Sequence, residues 1–126
     1  MNAPLRAGLV YGATMFGVGF LLGPLRVLVL EPALGAALAV AAEAVPMLVA
    51  MLLIAPRVAR AQGVVPQPGP RLAMGLVALA PVLTAEVVMA LGLGRFGEWI
   101  AAFATPAGLI GLGLLVALAL VPLLRR

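Results

Sequence analysis

Two of the four glutamates in this chain sit inside otherwise apolar runs. Residues 40–47 read VAAEAVPM around Glu43, and residues 84–89 read TAEVVM around Glu86. A carboxylate in such a setting can exchange a proton, hold a cation or pair with a guanidinium. All eight basic residues are arginine, which stays charged at any accessible pH. Arg26 alone among them is also embedded in a long apolar stretch, so Glu43, Glu86 and Arg26 are the candidate ion, proton or buried polar site. Pro46 and Pro81 fall close to the two acids. A proline inside a helix withholds an N–H and bends the axis, which makes both candidate kinks beside the site.

Position along the chain puts the two glutamates at one height. Glu43 lies 14 residues before Arg57 and Glu86 lies 15 after Arg71. At ~1.5 Å per residue, both then stand about 21–22 Å from those arginines. From the other end, Glu43 follows Gly35 and Glu86 precedes Gly94 by the same interval, about 12 Å. An ionised group in hydrocarbon costs on the order of 3 kcal/mol, so neither acid faces lipid while charged. Three arrangements relieve that cost. Arg26 pairs with Glu43 or Glu86 in bidentate geometry; the two carboxyls share a proton; or they line a wet cavity that takes a cation or a protonatable substrate. Arg26 has a further option, snorkelling outward to pair with Glu31.

The elements that must position these groups follow from composition. Of 126 residues, 65% are hydrophobic and only 10% charged, the balance of a membrane protein. Cysteine, histidine, lysine and aspartate are absent. That removes disulfides, Cys or His metal sites, haem ligation by those residues, and Cys or His nucleophiles. The acid–base inventory shrinks to glutamate, threonine and one tyrosine, so no enzyme, metal or cofactor is expected. Met15, Met47, Met51, Met74 and Met89 read as packing residues, because no stronger donor joins them. The arginines flank apolar segments and form no basic domain, which points to the lipid bilayer as partner and away from nucleic acid.

Four segments reach the ~20 apolar residues a membrane helix needs. They are about 7–30, 33–55, 72–93 and 107–124, and the first reads as retained in the chain, being too long for a cleaved signal. The expected fold is all-α, an integral membrane bundle of four transmembrane helices arranged as two antiparallel hairpins in a single domain, 1–126. Pro32 is expected to end the first helix. Residues 57–71, rich in Pro and Gly, are expected to form an exposed extended loop. In segment 95–104, Phe96, Trp99, Ile100 and Phe103 follow helical spacing, which predicts a short amphipathic helix anchored in the outer interface. Arg6, Arg57, Arg60, Arg71, Arg125 and Arg126 fall on one side of a four-crossing chain, so the positive-inside rule places both termini and the 57–71 loop in the cytoplasm. Gly8/Gly12, Ala13/Gly17, Gly19/Gly23 and Ala107/Gly111 put small residues four apart, the spacing that lets helices approach closely within the chain or between protomers. Thr14 and Thr84 are expected to bond back to the carbonyl four residues earlier.

The stretches GPLRVLVLEPALG, AEAVPMLVA, PRLAMGLVALA and FATPAGLIGL resemble a group of small uncharacterised bacterial four-helix membrane proteins. The resemblance implies the fold and a bacterial inner (cytoplasmic) membrane, and it implies no activity. Two functions therefore stand as expectations. One is a proton- or cation-linked transporter or channel protomer, possible as a homo-oligomer, using the buried glutamates. The other is a non-catalytic accessory or assembly subunit of a larger membrane complex.

Overall fold

A computed structural model of the chain describes residues 2–124. Helix α1 (Ala3–Leu25) passes through a widened π turn at Arg26–Leu30 into α2 (Glu31–Leu34). Then follow α3 (Ala36–Ala61), α4 (Pro68–Gly92), the short α5 (Phe96–Ala102) and α6 (Pro106–Leu124). Four runs, Ala3–Leu34, Ala36–Ala61, Pro68–Gly92 and Pro106–Leu124, are long and apolar enough to cross a bilayer. Because a helix satisfies most of its backbone polar groups internally, such runs suit a bilayer, and the chain is an all-α, multi-pass membrane bundle. The runs alternate in direction. One end, the base, carries residue 2, the 62–67 connection and Leu124; the other, the rim, carries the turn at Gly35 and helix α5. Arg125 and Arg126 lie outside the described residues.

Several boundaries differ from the sequence reading, each for a local reason. The first helix starts at Ala3 because Asn2 caps it, its Oδ1 accepting from the Leu5 N–H at 2.9 Å. Pro32 does not end that helix. The π turn ahead of it bonds the Glu31 N–H to the Arg26 carbonyl five residues back, and Pro32 then falls in the first turn of α2. A missing N–H is tolerated there. The stop comes at Gly35, whose φ of 83° suits a residue without a Cβ. Helix α3 likewise runs through Pro56 to Ala61, and Pro68 and Pro70 open α4. The 57–71 loop thus contracts to residues 62–67.

Packing is closest at the base. Ala7, Tyr11 and Met15 of α1 meet Met51, Ala55 and Ala59 of α3, Met74 and Ala78 of α4, and Leu118 and Val121 of α6. Helix α1 packs most extensively on α4, and α3 on α6; α3 and α4, though joined by the 62–67 connection, stand at opposite corners. Gly8 and Gly12 make the α1–α4 contact possible, since a Cβ on either would strike the Met74 or Ala78 carbonyl oxygen. Gly75 does the same between α4 and α6, where its bare Cα faces the Ala119 carbonyl. The Tyr11 hydroxyl donates to the Leu118 carbonyl at 3.0 Å across the bundle. Pro122, four residues beyond Leu118, offers no N–H to that carbonyl, so Tyr11 supplies the donor the helix lacks.

Arg71 corrects a sequence expectation. Instead of reaching lipid headgroups, it is only 2% exposed. Its Nε donates to the Val65 carbonyl and its Nη2 to the Val64 carbonyl, both at 3.3 Å. A buried guanidinium is tolerable when it is hydrogen-bonded in this way, and here it pins the 62–67 connection to α4.

Candidate functional site: a charged cleft in the rim half

Above the packed base the helices part around a cleft of about 820 Å³. Met15, Met51 and Leu118, members of the base core, form its floor. Glu31, Glu43, Glu86 and Glu98 all line it, together with Arg26 and Arg95. The chain's four acids therefore share one space. Small residues keep it open: Gly19, Gly23 and Gly111 are on its walls, and a Cβ added at Gly23 or Gly111 would touch nothing within 4 Å.

Arg26 sits between two of the acids. Its Nη1 stands 3.0 Å from Glu43 Oε2, and its Nε stands 3.6 Å from Glu31 Oε1. Both pairings foreseen for Arg26 with these acids occur together, and the expected bidentate clamp is replaced by one contact to each carboxylate. The π turn explains why. In a regular α-helix, residues five apart point about 140° away from each other at 3.6 residues per turn. The widened turn lets Arg26 and Glu31 share a face. Glu43 is only 10% exposed, and its Oε2 and the Arg26 Nε are buried without a hydrogen-bond partner among the described residues. The interaction with Glu43 is thus Coulombic proximity without hydrogen-bond geometry.

Glu86 is held differently. Among the described residues no arginine lies within ion-pair distance of it. Trp99 of α5 lines the same cleft. The Trp99 ring stacks on Phe96 at 5.9 Å between centroids and meets Phe103 edge-on at 5.1 Å. Two local devices bring α5 there. Gly94, with φ 68°, closes α4 in a Schellman motif: its N–H bonds the Leu91 carbonyl, and the Arg95 N–H bonds the Ala90 carbonyl. Beyond α5, the Thr105 hydroxyl donates to the Ala102 carbonyl and accepts from the Gly108 N–H, capping α6. Arg95 and Glu98 pair at 3.6 Å on the exposed side of α5.

The structure thus brings Glu43, Glu86 and Arg26 to one cleft, with Arg26 on Glu43 and Glu86 apart from it. Pro46 and Pro81 lie outside the lining: Pro46 is exposed on α3, and Pro81 packs by Gly12 in the α1–α4 contact. The helical runs continue through both prolines. Of the four aromatic and apolar residues expected as an anchor, Phe96 and Ile100 are exposed, while Trp99 and Phe103 turn into the cleft. Thr14 bonds back to the Val10 carbonyl at 2.7 Å as expected. Sequence reading missed the inward role of Trp99, and the signal was available: Trp99 lies four residues before Phe103 and one after Glu98, at the rim level of Glu86. No group of three or more His, Cys, Asp or Glu side chains among the described residues is placed to hold a metal ion.

Fold and site together define a multi-pass helical membrane protein with a charged cleft in one half of its bundle. Compared with protein-family models, curated proteins and solved structures, the chain matches none.

Proposed function

We propose that the protein is a proton- or cation-linked transporter or channel protomer of the bacterial inner membrane, with Glu86 as the exchanging carboxylate. The observation that supports this reading is the cleft itself, which gathers all four acids against two arginines and, among the described residues, leaves Glu86 without an ion-pair partner. An acid in that position within an apolar bundle marks an ion or substrate pathway by default. Glu43, Glu31 and Arg26 form the wall opposite, two carboxylates sharing one guanidinium. Arg6, Arg57 and Arg60 are exposed at the base, so the positive-inside rule places the base in the cytoplasm and the cleft toward the periplasm. Passage to the cytoplasm then requires the base packing to part, and the Tyr11–Leu118 hydrogen bond is a polar contact that must break.

Reconstituted vesicles with a pH gradient test the proposal. Glu86→Gln should reduce proton or cation flux by at least about tenfold, which corresponds to 1.4 kcal/mol at the rate-limiting step; Glu43→Gln should reduce it less. Flux unchanged by both substitutions rejects transport through these groups. If the same substitutions instead strip co-purifying subunits from the detergent extract, the accessory-subunit reading takes its place. Orientation is tested separately with a membrane-impermeant maleimide, since the chain has no native thiol. A cysteine at Gly97 should react from outside the cell and one at Gly63 should not.

A further inference from the structure

Resting on that reading of the cleft, we propose that its substrate is a hydrophobic organic cation: a single positive charge of ammonium or phosphonium type on an aromatic or aliphatic body. The charges point to where such a group is held. Arg95 is engaged with Glu98, and Arg26 with Glu43 and Glu31, which among the described residues leaves Glu86 as the acid without a positive partner. The aromatic wall points the same way. Trp99 and Phe103 line the cleft together with Glu86, their rings edge-on at 5.1 Å, so a cation neutralising Glu86 also meets aromatic groups, which attract it through their quadrupoles.

The remaining walls select against a small, hard ion. The carboxylates are not grouped for metal ligation. Met47, Met51 and Met89 give the cleft polarizable, adaptable sides of the kind that accommodate varied apolar shapes. A volume of about 820 Å³ lies in the range of pockets for small organic ligands, and a proton alone needs neither that room nor an aromatic wall. A second carboxylate faces the first. Glu43, nine-tenths buried on the opposite side of the cleft, shares the Arg26 guanidinium with Glu31, so that wall adds negative charge toward a bound cation.

Trp99 is the chain's one tryptophan, so its fluorescence reports on this site alone. The full chain purified in detergent is titrated with tetraphenylphosphonium and with tetraphenylborate, which share size and shape but differ in sign. The phosphonium should give a saturable change, with the borate at least about tenfold weaker. Glu86→Gln should weaken phosphonium binding by at least about tenfold. Equal response to both ions, or phosphonium binding indifferent to Glu86→Gln, overturns the proposal. Equilibrium dialysis with radiolabelled phosphonium provides a second readout: Trp99→Phe should retain binding and Trp99→Leu should lose most of it, whereas wild-type affinity in Trp99→Leu removes the aromatic wall from the site. The two readings fail separately. Flux that depends on Glu86 without phosphonium binding rejects the substrate class and spares transport; phosphonium held at Glu86 without any flux supports the ligand class and rejects transport.

Discussion

The base and rim halves of the bundle use the same small residues to opposite ends. At the base, Gly8, Gly12 and Gly75 each face a neighbouring backbone so closely that a methyl group would collide with it. At the rim, Gly23 and Gly111 face open space and Gly19 meets only the tip of Met47 at 3.8 Å, and the one close approach, Gly108 on the Ala102 carbonyl, is to the adjoining turn of α5 rather than to a facing long helix. The base is sealed by backbone-to-backbone contact and a buried hydroxyl, the rim held apart around carboxylates. A glycine or alanine repeated at four-residue spacing therefore licenses close approach without requiring it. What decides is the element opposite: apolar helix faces at the base, and charged groups with a tryptophan at the rim, where closing the gap would desolvate ions.

Four substitutions sharpen or break that contrast, read by unfolding in mixed micelles. Gly75→Leu should have the largest effect, because its side chain must push α4 off the Ala119 carbonyl; a loss of about 3 kcal/mol is expected, the upper end of overpacking costs. Arg26→Gln comes next. It strands Glu43 in a site only 10% exposed, and since Arg26 itself is partly solvated the expected loss is about 2 kcal/mol, below that of a fully buried pair. The double variant Arg26→Gln with Glu43→Gln should recover most of it, and failure to recover would show that the pair is not what the arginine stabilises. Tyr11→Phe removes the donor to Leu118 and should cost about 1 kcal/mol by leaving a buried carbonyl without its partner. Gly111→Ala should be smallest and opposite in sign, a gain of up to about 1 kcal/mol from helix propensity, since nothing opposes the added methyl. A severe loss at Gly111 would mean that the rim is as tightly packed as the base.

Much of the fold was legible because bilayer thickness dictates helix length and prolines and glycines punctuate the chain. The prolines read differently in the fold. Pro32 is expected to end the first helix and Pro68 to lie in the 57–71 loop, whereas each falls in the first turn of a helix. Proline costs a helix little in its first turn or after a widened turn, and sequence alone does not reveal which of these settings applies. Arg71 was missed for a related reason. Its character as a cation beside an apolar run matches a lipid anchor, and only the fold of residues 62–67 offers it the carbonyls of Val64 and Val65.

By itself the amino-acid order determined that the chain carries four runs able to span a membrane and that Glu43 and Glu86 fall well inside two of them, because hydropathy and a fixed rise per residue need no knowledge of neighbours. Tertiary structure alone decided that Arg26 goes to Glu43 and Glu31 while Glu86 shares the cleft with Trp99. Which helices occupy adjacent corners, how a π turn rotates one guanidinium, and where a Schellman glycine aims α5 are outcomes of packing among segments distant in the chain. Partner choice inside a low-dielectric bundle is set by those distances, and a one-dimensional pattern does not contain them.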